Sequence, residues 1–165
     1  IDSQISKDTV YSQLDKQEEI LSGFENGDSL KKRTSNVKYF TTDTENIILK
    51  DEYSKQLNNC RAIFFHSDTL SINVGISSGF SGWGFTIFYK DKKYYTEPYY
   101  FTDIRSGYKP TYKIVYQKLT LDKARYKVGD SLYGKIDFKS IEITNDKKRF
   151  EHLGKGYFRT KVRNI

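Results

Sequence analysis

Cysteine is nearly missing from this chain. Cys60 stands alone among 165 residues, so no internal disulfide can form and the compartment stays open on that count. Buried apolar surroundings are the usual setting of a free cysteine, and Cys60 reads as a small core hydrophobe. One cysteine and two histidines, His66 and His152, also fall short of the three or four closely spaced ligands of a zinc centre. Proline occurs twice and methionine not at all. No apolar run approaches the ~18–20 residues that a membrane-spanning helix needs.

The motifs of catalysis are missing too. There is no GxSxG elbow, no Walker loop and no GxGxxG; Gly79, Gly82 and Gly84 have the wrong spacing and join two strands. His66-Ser67-Asp68 stands at a strand end with no nucleophile signature around it. Asp43, Glu45, Asp51 and Glu52 follow no EF-hand pattern and read as solvated loop carboxylates. The expectation is a non-enzymatic protein with no catalytic residues, no cofactor and no metal.

Aromatic residues fill the space that these absences leave. Fourteen Tyr, eleven Phe and one Trp make 16% of the chain, a bias that suits strands. From residue 61 onward the apolar positions alternate. Leu70, Ile72, Val74 and Ile76 form one strand face; Trp83, Phe85, Ile87 and Tyr89 form the next, with Trp83 expected in the core. A glycine-bounded turn joins them, and Asp91-Lys92 turns the chain into the stretch 94–104, where Pro98 marks an edge strand or a break. Tyr112, Ile114 and Tyr116 start a further strand with a phase slip near Gln117. Phe158, Thr160 and Val162 share one face of the last.

Ahead of this β-rich part, Asp8 or Thr9 can cap a helix running to about Ser22, with Gly23 as its stop. Residues 25–36 are polar and read as a linker. The expected organisation is therefore a helix and linker over 1–36 and an antiparallel β domain over 37–165, with short strands at 37–42 and 47–50 and a short helix at 51–59.

The stretch from Leu119 to Ile143 organises the rest. Leu119 and Leu121 end one alternating run, Gly129-Asp130 makes a turn, and Leu132, Gly134, Ile136 and Phe138 alternate again. Beyond Phe138 the phase slips, because Ile141 and Ile143 are apolar where Ser140 and Glu142 would continue the inner face; a bulge or bend near Ser140 is expected. Leu121, Asp122, Lys123, Tyr126, Gly129, Asp130, Leu132 and Gly134 make this unit resemble the strand-turn-strand of immunoglobulin-like, macroglobulin-type β-sandwich domains in bacterial cell-envelope proteins. The resemblance spans residues 119–138. It implies a mainly β, antiparallel immunoglobulin-like sandwich with an N-terminal helix. A closed antiparallel barrel is the alternative, since eight or nine evenly spaced strands suit either.

Net charge is +7 and unevenly placed: residues 1–104 carry 12 basic and 15 acidic side chains, residues 105–165 carry 16 and 6. Such asymmetry suits a polar partner surface. Lys31-Lys32-Arg33 is too short a basic run to argue for nucleic acid, which is not expected as a partner. The aromatic run at residues 94–101 is the more suggestive feature, because exposed aromatic residues anchor protein interfaces and stack on sugars. Tyr95, Tyr99, Tyr100 and Arg159 are the expected partner-binding residues. The functional expectation is a binding module of a bacterial envelope or secreted protein that recognises a protein or a glycan. A location in the periplasm, at the outer membrane or outside the cell goes with it, as does a lipoprotein anchor upstream of Ile1. The alternative is an immunity or inhibitor protein, cytoplasmic in that case, that neutralises a toxin or effector enzyme.

Overall fold

The computed structural model describes residues 1–19, 32–43, 59–64, 68–77, 80–103 and 110–164. Among them run eight strands: β1 (Lys38–Asp43), β2 (Asn59–Phe64), β3 (Leu70–Ser77), β4 (Ser81–Lys90), β5 (Lys93–Thr102), β6 (Thr111–Leu121), β7 (Ser131–Ile143) and β8 (Arg149–Arg163). The expected strand at 47–50, most of the expected helix at 51–59, and His66 lie outside the described residues.

The strands form one mainly β wall in the order β5-β4-β3-β2-β8-β7-β6, with β1 pairing a different stretch of β8. Sequential hairpins supply most of the pairing. β2 to β5 form one meander and β6 to β8 another. The two are joined by a parallel pair, Ala62 with Val162 and Ile63 with Arg163. This corrects the all-antiparallel expectation: the sheet is mixed. It is also nearly closed, because side chains of β5 and β6 bond across the gap between the two terminal strands. The barrel alternative fits this wall.

Alternation decides what faces inward. Ile72, Val74, Phe85 and Ile87 come from the first meander, and Leu132, Ile136, Phe138, Phe158 and Val162 from the second. They meet in one core, where the Phe85 and Phe138 rings lie 4.7 Å apart. Burying each such ring contributes about 1.5–3 kcal/mol. Close packing shows at Gly134, where a Cβ would lie 2.4 Å from the Phe158 ring and 2.9 Å from Leu121. Trp83 does not join this core. It is half-buried and pairs with Ile76 and Tyr100 near the strand ends.

The organising unit folds as the sequence suggests. Asp122 N donates to Tyr133 O at the strand junction, while the Asp122 carboxylate accepts from the Tyr126 hydroxyl at 2.6 Å and from Tyr133 N at 3.0 Å. Gly129 turns at φ +91, and Asp130 accepts from Lys127 N at 3.0 Å. The expected bulge at Ser140 is absent. β7 keeps its phase to Ile143, so Ser140 and Glu142 face inward and are buried. The reason is across the hairpin: His152 on β8 supplies Glu142 with a partner.

The helix is shorter than expected. α1 spans Thr9–Leu14, with the Asp8 carboxylate capping Val10 N. It stops there because the chain turns to pair with residues beyond the next loop: Arg33 N donates to Gln17 O, and Glu18 bridges Lys32. α1 lies on the outer face of β7 and β8, where Tyr11 is buried and its hydroxyl donates to Gly134 O at 3.1 Å. Residues 34–36 continue along β8 through bonds to Tyr157 and Arg159.

Candidate functional site

The wall is weakest where its terminal strands meet. β5 and β6 are joined through side chains. The Gln117 amide docks on β5 like a peptide group, accepting from Thr96 N at 3.0 Å and donating to Tyr94 O at 3.1 Å. In return the Tyr94 hydroxyl donates to Gln117 O and accepts from Leu119 N, both at 3.1 Å. These bonds seal one end of the seam. Pro98 fits this position because a terminal strand can lack a donor, and it does not break the strand, which continues to Thr102.

β6 carries an irregularity between Ile114 and Tyr116. The extra residue resets the phase. Tyr112 and Ile114 face inward before it, Gln117, Leu119 and Leu121 after it, and Val115 and Tyr116 are turned out. Bulges commonly re-aim side chains next to functional surfaces. Six of the eight exposed large hydrophobic residues among the described residues lie on β5, on β6 or at the turn beside β5: Phe80, Tyr95, Tyr100, Phe101, Val115 and Tyr116. Lys113, Lys118 and Glu97 add charge around them.

Of the residues singled out in the sequence, Tyr95 is 38% exposed on the outer face of β5, whereas Tyr100, 54% exposed, alternates to the other face beside Trp83. Tyr99 is held differently. Its hydroxyl donates to Asn73 Oδ1 at 3.1 Å, and its ring lies over Gly75 and Gly84, the latter at φ +151. It stacks on Phe101 at 6.3 Å and so props the exposed ring from below. Arg159 is on the far side of the wall, where it bonds the carbonyls of Arg33 and Tyr11 and the Asp15 carboxylate. The structure therefore places Tyr95 and Tyr99 on the outer face of β5 and Tyr100 on its other face, and leaves Arg159 apart from all three. Burial raises the Tyr99 and Tyr112 hydroxyls to about 12, and burial with Glu97 raises Tyr95, so these side chains act as neutral hydrogen-bonding groups.

A second constellation was hidden from sequence reading. His152 Nε2 lies 2.6 Å from Glu142 Oε2, and His152 Nδ1 lies 2.8 Å from the Tyr39 hydroxyl and 3.3 Å from Thr41 Oγ1. Tyr39, Glu142 and His152 are each 7% exposed or less. The order carboxylate, imidazole, hydroxyl has the form of a nucleophile relay. Burial, however, drives the Tyr39 hydroxyl far above its ordinary value, the opposite of activation, and encloses it against Phe85 and Phe138. The arrangement holds polar groups satisfied inside the wall. Its sequence signal was the ten-residue separation of Glu142 and His152 around the polar turn at 145–149, which a hairpin closes.

Cys60 is buried, as expected, and burial raises its thiol far above the ordinary range. Among the described residues no group of three or more metal-ligating side chains comes together, and no helix is long and apolar enough to cross a membrane. No protein-family model, curated protein or solved structure matches the chain.

Proposed function

We propose that this chain is a binding module that recognises a protein partner through the outer surface of the β5–β6 seam. The observation that carries the proposal is the concentration of exposed aromatic and β-branched side chains on the two terminal strands. An apolar centre with a charged rim is the usual composition of a recognition surface, and tyrosine is enriched at its energetic centre. Tyr95, Phe101 and Tyr116 are the anchors, and Tyr99 positions Phe101. The resemblance of residues 119–138 to immunoglobulin-like envelope domains favours a cell-envelope or secreted setting for this role. The uneven charge of the chain favours a second reading, in which the partner is a toxin or effector enzyme that this protein neutralises.

The test is affinity capture from lysate and envelope fractions of the source cell with two baits, the native protein and a Tyr95→Ser, Phe101→Ser, Tyr116→Ser variant. The proposal expects a protein retained by the native bait and lost from the variant, both baits having the same thermal stability. A partner bound equally by both, or retention on glycan alone, overturns it. The partner's own activity separates the two settings: an inhibited enzyme supports neutralisation, and a structural envelope protein supports assembly.

A further inference from the structure

On the face of the wall away from the seam, a cleft of about 700 Å³ opens between residues 15–19 and the outer side of β2 and β8. Its lining carries five basic side chains, Lys32, Arg61, Arg159, Lys161 and Arg163, against the carboxylates of Asp15 and Glu19. The placement follows from the fold. Arg159, Lys161 and Arg163 occupy alternate positions of β8 and so share its outer face, about 6–7 Å apart in succession. The parallel pairing of Ala62 with Val162 sets Arg61 on the neighbouring strand beside them.

The two carboxylates are already engaged. Asp15 bonds Arg159 at 2.9 Å and Lys32 at 3.3 Å. Glu19 bonds Arg61 at 2.6 Å and accepts from Thr34 Oγ1 at 3.0 Å. Arg61 and Arg159 side chains are 15% exposed and paired with these acids, while Lys161 and Arg163 are exposed at the rim. The cleft is thus a preorganised row of cations whose internal acids neutralise only part of its charge. Volumes of ~300–1,000 Å³ are typical of small-ligand sites.

We infer that this cleft binds a small ligand carrying adjacent phosphate groups, with Lys161 and Arg163 contacting the anion and Asp15 acting as an internal competitor for Arg159. Two phosphates a few ångströms apart match the spacing of cations along one strand face, and arginine suits phosphate through its fork of donors. The site is independent of the seam, and its test does not depend on the partner there.

Isothermal titration of the native protein with pyrophosphate, orthophosphate and sulfate tests the inference. Pyrophosphate is expected to bind saturably and more tightly than the other two. Lys161→Ser with Arg163→Ser should weaken it by about tenfold or more. Asp15→Asn should strengthen it, since Arg159 keeps its carbonyl partners but loses its carboxylate. An unchanged melting temperature of the Lys161→Ser, Arg163→Ser variant, and an unchanged circular-dichroism spectrum of Asp15→Asn, which loses the clasp, would show that the wall is intact. No saturable binding of pyrophosphate up to about 10 mM, equal affinity for all three anions, or affinities untouched by both variants would overturn the inference.

Discussion

Glu142→Leu should be among the most damaging single substitutions in the wall. It leaves His152 Nε2 facing apolar neighbours in place of a carboxylate oxygen at 2.6 Å. A buried group stripped of its partner costs about 1–3 kcal/mol, and a broken buried ion pair about 3–5 kcal/mol. His152 keeps its contacts to Tyr39 and Thr41 at Nδ1, which places the expected loss near 3 kcal/mol, at the boundary of those ranges. For a domain of this length each kcal/mol shifts the midpoint by roughly 2–4 °C, so the melting temperature should fall by about 6–12 °C. Glu142→Gln keeps the shape and an acceptor and should recover most of the loss. His152→Leu alone should cost a similar amount, whereas the double leucine variant should cost far less than the two singles together, because each substitution removes the other's unsatisfied group. Chemical denaturation of the four variants, with the unfolding slope unchanged, reads this directly. A Glu142→Leu loss below about 0.5 kcal/mol, or strictly additive singles, would refute the view that this pair is satisfied internally.

Three further outcomes follow from the same geometry. Gly134→Ala should destabilise by about 1–3 kcal/mol in urea unfolding, because its Cβ would overlap Phe158 and Leu121. Partial desolvation pushes the Asp15 carboxyl up, but its bonds to Arg159 and Lys32 outweigh this and hold it below its ordinary value. Its folded value being the lower one, the clasp contributes stability above the ordinary carboxylate range and loses it as pH falls through that range. The stability gap between native protein and Asp15→Asn, measured by thermal melts across pH, should therefore narrow on acidification. Cys60 should be inert to a thiol reagent in the native state and react stoichiometrically in denaturant, given its full burial and raised thiol; rapid native labelling would contradict its placement.

Period-two alternation was enough to locate most strands and most of the core, since Ile72, Phe85, Leu132 and Phe158 follow it without exception. It misled where polar residues turn inside. Ser140 and Glu142 looked like outward residues on hydrophobicity alone, and the hairpin partner His152 accounts for Glu142, while the buried Ser140 hydroxyl follows the strand phase without a partner of its own among the described residues. It was equally blind to how the meanders join, because the parallel Ala62–Val162 pair depends on residues a hundred positions apart. The α1 pattern continued past Leu14, but pairing of Glu18 with Lys32 competes with helix there. Of the site, the tyrosine run on β5 was readable as composition. The half supplied by β6 was not, since exposure of Val115 and Tyr116 depends on one inserted residue. Arg159 was noticed as a charge on a strand face, but its packing against Asp15 and two carbonyls is a tertiary feature.

Hydrogen exchange with and without the captured partner tests the role of the seam most directly. The account predicts new protection concentrated in residues 93–102 and 111–118, with β2, β3 and the end of β8 unchanged. Protection confined to residues 59–64 and 159–163, or to no strand at all, would contradict it.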